Sequence, residues 1–388
     1  MANQQFGTIE TPDGPLRSII CMDEDRPNEA VMHWWGNEAT TASGALVELH
    51  WTSEYEAQVI PRLSLSSDSA SGEITVPQLS AELQAYFNGY SAKLRRLKNR
   101  SLKGEWSHEH GAHGKFSYSP LTNETRVNAT QCADWREFKQ WADDTRGLLD
   151  AVMYRGHGSH RFRLSTTLHR SGRTRLERYC SETLQRFRGY AEAVLSLRFN
   201  MRDSEDYATL LGLAQHHGLP TPLLDWSTSP YVAAFFAFSD ALEMEASRPD
   251  VSHVRIYALT RSFVEASAPK VVTIPTLMPY VCALSISPRN NPRLYAQQGR
   301  FLVTNVADLE RYLCVLEKAQ GTRILVAADV PVECARSALE DLAFMGLNAA
   351  TMFPGLDGVC RMMKHEMSFR RPPIPMPVKR TGDGASML

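Results

Sequence analysis

Three adjacent hydroxyl side chains follow a carboxylate in one short stretch of this sequence. Residues 215–230 read QHHGLPTPLLDWSTSP, a pattern that predicts a helix end, a tight loop, a short buried strand and a second helix start. Ser229 or Thr228 can cap the second helix, with Pro230 at its first position. Free backbone N–H groups beside Ser227 and its two neighbours would form a pocket for a phosphate or a ribose. Ordinary helix capping explains the same residues, so both interpretations stay open.

A fixed positive charge precedes this stretch. Residues 154–158 read YRGHG, which places Arg155 at the end of a predicted strand beside a glycine that allows close approach of a ligand. A planar guanidinium suits a pyrophosphate, although a surface arginine at a turn gives the same pattern. Residues 291–301 read NPRLYAQQGRF and place the amides of Gln297 and Gln298 before a strand. Buried amides need partners, so a polar ligand or a structural network is implied.

These patterns and a turn-rich FPGLDG loop at residues 353–358 occur in a fixed order along the chain. In that order they resemble the FRG domain, over roughly residues 135–365. The central motif is long and specific, whereas the flanking motifs gain specificity by occurring in series. Two positions depart from the family pattern: Pro222 stands where arginine is usual, and Gly355 stands where aspartate is usual. The proline removes a charge beside the proposed pocket.

The order of parts also resembles the ADP-ribosyltransferase fold, an α+β fold with a split β-sheet core. The resemblance implies NAD as co-substrate, no metal, and Arg155, Asp225 and Gln298 as catalytic residues. Gln298 stands where that fold usually carries a glutamate, and a neutral amide cannot act as a base. Asp357 and Glu177 are the alternative carboxylates.

Each residue has an implied part in cleaving the bond between nicotinamide and ribose. Arg155 would hold a phosphate or the ribose, and Asp225 would stabilise the developing cation. His216 and its neighbour His217 point apart on a helix, which favours hydrogen bonding over metal binding. The remaining implied NAD contacts are Tyr154, Gly156, His216, Trp226, Ser227, Thr228, Ser229 and Gln297.

Basic residues concentrate in two runs of a chain whose formal net charge is -1. Residues 155–188 contain nine arginines and two acids, and residues 93–103 form a second run. A solvated helix face is the usual explanation, yet two such runs also indicate a nucleic-acid partner. The predicted RNA or DNA contacts are Arg161, Arg163, Arg173 and Arg175. Aromatic residues that would stack a base are Tyr154, Trp226 and Tyr295.

Together these features predict a NAD-dependent ADP-ribosyltransferase that modifies RNA or DNA. As a toxin or phage-defence effector, it would have a neutralising antitoxin protein as a further partner. The alternative is a non-catalytic module that binds a nucleotide or a partner, because the usual glutamate is a glutamine. A third interpretation, a metal-dependent hydrolase, rests on His108, His110 and His113, which lie in a glycine-rich turn without a supporting constellation of carboxylates.

The overall composition indicates the class of protein that carries these motifs. The 388 residues are 43% hydrophobic and 22% charged, which is ordinary for a globular protein. Seven scattered cysteines, a polar start and the lack of a long apolar run predict a cytoplasmic protein without a membrane partner. Residues 1–125 predict a small mostly-β domain, a sandwich or barrel with one helix at 76–98. Residues 126–133 predict a linker, 134–370 the FRG domain, and 371–388 a disordered tail.

Overall fold

A computed structural model describes residues 3–36, 42–67, 74–120, 125–244, 250–267, 277–284, 286 and 292–368. The predicted tail and Asn291 of the amide motif lie outside the described residues. The described chain contains two β-sheets with separate hydrophobic cores, so the predicted mixture of helices and strands is confirmed.

The first sheet is antiparallel and closes on itself. Hydrogen bonds connect its strands in the order β4-β3-β2-β1-β9-β8-β7-β5, and β5 pairs back to β4, so eight described strands form a barrel with β6 at one edge. The elements are β1 (Asn3–Thr11), β2 (Gly14–Met22), β3 (Glu29–Trp35), β4 (Ser43–Trp51), β5 (Glu56–Ser67), β6 (Ile74–Thr75), α1 (Ala81–Asn88), β7 (Tyr90–Arg96), β8 (Leu102–His108) and β9 (His113–Pro120).

The predicted barrel with one helix is therefore found, but the helix is shorter than expected. Gly89 ends α1, and the second half of the segment at 76–98 is strand β7. Leu94 points into the barrel while Lys93 and Arg95 are exposed. This alternation has the period of a strand, and the helical period of the preceding residues masked it.

The second sheet carries the predicted FRG region. Its strand order is β10-β16-β13-β11-β12-β15-β14, and within it β10 and β16 are parallel. Its strands are β10 (Ala129–Gln131), β11 (Ala151–His157), β12 (Leu223–Ser227), β13 (His253–Thr260), β14 (Val281–Leu284), β15 (Gly299–Thr304) and β16 (Leu325–Pro331).

Helices cover this sheet, and α2 has the bounds that its amphipathic pattern predicts. The long helix predicted at 176–197 is built as α4, a turn of π-helix and α5. The helices are α2 (Trp135–Leu148), α3 (Thr167–Arg170), α4 (Leu176–Arg178), α5 (Leu184–Leu195), α6 (Ser204–His216), α7 (Pro230–Met244), α8 (Arg261–Ala266), α9 (Pro292–Ala296), α10 (Leu309–Gln320), α11 (Ala335–Phe344), α12 (Ala349–Met352) and α13 (Leu356–Ser368).

The predicted linker at 126–133 is part of the second sheet, which corrects that prediction. Ala129–Gln131 form β10, and the buried Val127 donates its backbone N–H to Glu310. Its polar composition resembles a linker because an edge strand of three residues needs backbone pairing and little apolar surface.

Strands β11 and β12 separate after a single paired position. Tyr154 pairs with Ser227, whereas β11 pairs with β13 at six positions from Ala151 to His157. The sheet is therefore split between β11 and β12, and polar groups at the opening face a cleft.

Residues 23–29 of the barrel, which connect β2 to the start of β3 and are called the acidic loop, bind the segment between α3 and α4. The Asp23 carboxylate, in a residue 2% exposed, accepts the backbone N–H groups of Thr174 and Arg175 at 2.8 and 3.0 Å. It also pairs with Arg178 at 2.9 Å. Glu29 pairs with the buried Arg175 at 2.6 Å. These contacts join the barrel to the second domain.

We expect Asp23→Asn to lower the free energy of unfolding by about 1–3 kcal/mol, because the buried side chain loses the negative charge that strengthens its hydrogen bonds from two backbone N–H groups and its pairing with Arg178. Urea titration followed by circular dichroism measures the change. Asp13→Asn, at an exposed hairpin turn, is the matched control. Equal stability of the two variants would show that the acidic loop contributes nothing to holding the domains.

Candidate functional site

A cavity of about 330 Å³ lies at the opening between β11 and β12. Its lining includes Arg155 from β11, His216 from α6, Asp225 from β12 and Asp240 from α7. A larger cavity of about 1010 Å³ lies against five barrel strands, but it contains no residue of the four motifs, and some of its charged residues form pairs, such as Arg95 with Glu56. The smaller cavity is the candidate site because it gathers residues from all four of the sequence motifs.

Arg155 spans the opening and is held on two sides. Its Nε donates to His157 Nε2 at 3.0 Å, and its Nη1 donates to the carbonyl oxygen of Asp225. The Asp225 carboxylate lies 4.0 Å from Nη1. Burial lowers the pKa of the guanidinium and Asp225 opposes that change. An arginine side chain stays protonated at neutral pH even when its pKa is lowered, so the pocket contains a fixed positive charge.

His157 is a neutral support for that arginine. Burial lowers its pKa well below the usual value, and the charges of Arg155 and Arg170 lower it further. Because Nε2 accepts from Arg155, the proton is on Nδ1, which is buried without a hydrogen-bond partner. The ring therefore acts as an acceptor that fixes the direction of the guanidinium.

The Asp225 carboxylate is positioned by the last turn of α6. Gln215 Nε2 donates to its Oδ2 at 2.9 Å, and the Thr221 hydroxyl donates to the other end of the same amide. The next residue, His216, also lines the pocket, and burial, followed by Arg293, lowers its pKa. Sequence reasoning brought Arg155, His216 and Asp225 together correctly although 70 residues separate the first from the last.

The three hydroxyl residues mainly fix the turn between β12 and α7. Ser227 donates to the Gln297 carbonyl at 2.8 Å and accepts the Ser229 N–H at 3.1 Å. Ser229 caps α7 by accepting the Val232 N–H at 3.3 Å. Ser227 alone of the three lines the cavity. The capping interpretation thus holds for Ser229.

The two glutamines lie in different places. Gln297 lines the cavity, and its Nε2 donates to the Met352 carbonyl at 3.0 Å. Gln298 is exposed, outside the cavity lining, and accepts the Thr228 hydroxyl at 3.2 Å. Its φ of 49° is left-handed, which turns its side chain away from the direction that an extended strand would give. The structure therefore puts Gln298 outside the group formed by Arg155 and Asp225.

Of the aromatic residues that were expected to stack a base, Tyr154 and Trp226 line the cavity and Tyr295 does not. Tyr154 packs in one core and donates to the Ala151 carbonyl at 3.2 Å. Trp226 packs in another core, with its Nε1 buried and unpartnered. Tyr295 is 79% exposed and does not line the cavity. Gly156 acts by its small size, since a Cβ there would lie 1.9 Å from the Ala233 carbonyl oxygen.

Three residues at or beside the site were not predicted. Arg293 lines the cavity and lies over the Phe353 ring at 5.5 Å. Arg170 lies close enough to Asp225 for that carboxylate to raise its pKa against the larger effect of burial. Asp240 lines the cavity from α7. The signal for Asp240 was its position as the first charged residue after Pro230, at the end of a mainly apolar run in α7.

The four arginines predicted to contact nucleic acid all have carboxylate partners. Arg163 pairs with Asp308 at 2.8 Å, and Arg161 pairs with Asp250. Two pair with the acidic loop of the barrel: Arg173 with Asp25 at 3.2 Å and the 5%-exposed Arg175 with Glu29. The exposed charge predicted from this run is therefore largely neutralised within the protein.

Other candidate groups are also accounted for. Glu177 binds Arg175 at 2.7 Å and does not line the cavity, and Asp357 lines an adjoining groove. The ring nitrogen Nε2 of His108 lies 2.8 Å from the Tyr86 carbonyl oxygen. Among the described residues, no three His, Cys, Asp or Glu side chains are grouped as metal ligands.

The fold and site define an α+β domain whose pocket, at a split in its sheet, is lined by two arginines and two carboxylates. Residues 150–246 match the family model of the FRG domain, which confirms the resemblance over that segment. No curated protein and no solved structure matches the chain. In the described residues, no helix is long and apolar enough to span a membrane.

Buried histidines make the fold sensitive to acid. Burial lowers the pKa of His33 to about 4 and that of His169 to about 3. Below pH 6.5 the unfolded chain takes up protons that the folded chain excludes, so acid favours unfolding. We expect each such histidine to cost about 2 kcal/mol of stability between pH 7 and pH 5.

His169→Gln should reduce that pH dependence by the contribution of one histidine. Urea titrations of both proteins at pH 7 and pH 5 measure it, with exposed His217→Gln as the matched control. An unchanged difference between the two pH values in His169→Gln would contradict the assignment.

Proposed function

We propose that the pocket binds NAD and that the protein is an ADP-ribosyltransferase. The observation that carries the proposal is the fixed Arg155 guanidinium at the split of the sheet, with two carboxylates beside it. Its Nη2 makes no hydrogen bond within the described part of the chain, so this edge is available to a phosphate oxygen. A planar guanidinium matches phosphate geometry.

The pocket contains side chains of both signs, and each sign would serve a different part of NAD: the pyrophosphate and the ribose. Arg155 and Arg293 line the cavity, and Arg170 lies beside Asp225. These cations would neutralise a pyrophosphate. Asp225 and Asp240 supply negative charge that would stabilise a cationic ribose as the bond to nicotinamide breaks. The volume of about 330 Å³ is at the lower end of ligand pockets and suits part of a dinucleotide.

A second candidate function is a non-catalytic module that binds a nucleotide. Two placements favour it: Gln298 lies outside the cavity, and Ser229 uses its hydroxyl to cap α7. Both candidates need the Arg155 cation for binding. They differ in whether bound NAD is consumed, so turnover and affinity must be measured separately.

RNA or DNA is the proposed acceptor, and action as a toxin or defence effector is the proposed role. Support comes from the density of arginines between positions 155 and 188. Arg161 and Arg173 are the two most exposed members of the predicted set, at 58% and 40% of the side chain. Phosphates would have to displace their carboxylate partners.

Substitution of Arg155 is the direct test of NAD use. We expect Arg155→Gln to abolish NAD consumption and to weaken NAD binding at least 10-fold, because a guanidinium–phosphate contact contributes about 1.5–3 kcal/mol. Arg155→Lys should also fail, since a point charge cannot make a bidentate contact. Release of nicotinamide and calorimetric titration with NAD are the measurements.

The exposed Arg146→Gln on α2 is a charge-matched control. Wild-type protein that binds NAD without consuming it would favour the binding module. Wild-type protein that neither binds nor consumes NAD would contradict the proposal.

Salt dependence tests the proposed nucleic-acid acceptor. The double change Arg161→Glu with Arg173→Glu should flatten the dependence of log affinity on log salt by about 1 per lost phosphate contact. Fluorescence anisotropy with single-stranded RNA and DNA from 50 to 200 mM salt gives the slopes. Affinity that does not depend on salt, or slopes unchanged by both substitutions, would argue that these arginines serve only their carboxylate partners.

A further inference from the structure

We infer that Asp240 is the residue that takes the proton from the attacking hydroxyl group or water in this pocket. The inference rests on the proposed transferase function and supplies the base that Gln298 cannot be. It assigns that role to helix α7, where no sequence motif had indicated one.

The position of Asp240 is the first argument. It lines the cavity together with Arg155 and Asp225. Its Cβ lies beside β11, since a Cβ built on Gly158 would be 2.7 Å from it. Because Gly158 has no side chain, Asp240 lies directly against the backbone of that glycine. In the described chain, Asp240 has no hydrogen bond and no ion pair within 4.0 Å, whereas Asp225 is held by Gln215.

The groups around Asp240 move the pKa of its carboxyl toward neutral pH. Crowding by neighbouring protein atoms raises the pKa of Asp240 to about 6, although the residue keeps contact with solvent at the cavity, and Glu243 on the same helix raises it too. Arg155 from β11 and Arg361 from α13 oppose those effects. A carboxylate that titrates near the working pH is ionised in neutral solution and still basic enough to accept a proton.

The step balances without a further reactant. The bond between C1′ of the ribose and the nicotinamide nitrogen breaks, and its electron pair neutralises the charge on the pyridinium ring. The acceptor oxygen, from a hydroxyl or water, forms a bond to C1′. Its proton passes to Asp240, which later releases it to solvent. No group is oxidised or reduced.

Asp240→Asn tests the role while preserving shape. We expect NAD consumption to fall about 10²- to 10⁴-fold, the usual contribution of a general base, with NAD affinity changed less than about 3-fold. Asp240→Glu should retain more turnover than Asp240→Asn because it keeps a carboxylate. Thermal melting reports whether the variants are folded, and Asp143→Asn on the exposed face of α2 is the matched control.

The pH profile separates a proton acceptor from a structural residue. Activity should rise through about pH 6 in the wild type. Glu243→Gln should move that limb to lower pH, because it removes the charge that raises the pKa of Asp240 and frees Arg361, which Glu243 holds at 2.6 Å. A folded Asp240→Asn variant with normal turnover, or an unmoved limb in Glu243→Gln, overturns the role of Asp240 alone. A wild type that binds no NAD overturns the proposed function as well.

Discussion

The single backbone pairing between β11 and β12 is the constraint from which the candidate site follows. Beyond Tyr154 and Ser227 the two strands diverge, and backbone groups at a sheet opening need other partners. Arg155 meets this need by donating from β11 to the Asp225 carbonyl on β12. The same contact closes the local gap in hydrogen bonding and holds a cation at the cavity, so structure and binding depend on one side chain.

Small residues set the depth of that cavity. Helix α7 lies so close to β11 that any side chain at Gly156 would overlap the Ala233 carbonyl, and Gly158 makes similar contact with Asp240. A larger residue at either glycine would push α7 outward and separate Asp240 from Arg155. The short YRGHG motif therefore specifies a helix–strand distance as well as a charge, which explains why a motif of five residues can carry functional information.

Strongly periodic elements were predictable from the sequence, and spatial groupings were not. Helix α2 matches its predicted bounds because its apolar face repeats over four turns. β10 was missed because a strand of three residues at a sheet edge is too short to show a period. Arg155 and Asp225 were placed together from motif order. The role of Asp240 could not be predicted, because it depends on how closely α7 packs against β11, and no local pattern encodes that distance.

The barrel contacts the arginine-rich segment that the sequence associated with nucleic acid, and this segment adjoins the candidate site. Asp23 binds backbone and side-chain donors at Thr174–Arg178, a segment that begins four residues after Arg170. Arg170 lies at the C-terminal end of α3, and its guanidinium donates to the Ser165 carbonyl beside that helix. Because α3 has only four residues, its position depends on the chain that flanks it. By fixing the chain that follows α3, the acidic loop of the barrel determines where the Arg170 charge stands relative to Asp225. The barrel is thus connected to the chain that carries Arg170, and Arg173, Arg175 and Arg178, three of the nine arginines in this run, make that connection.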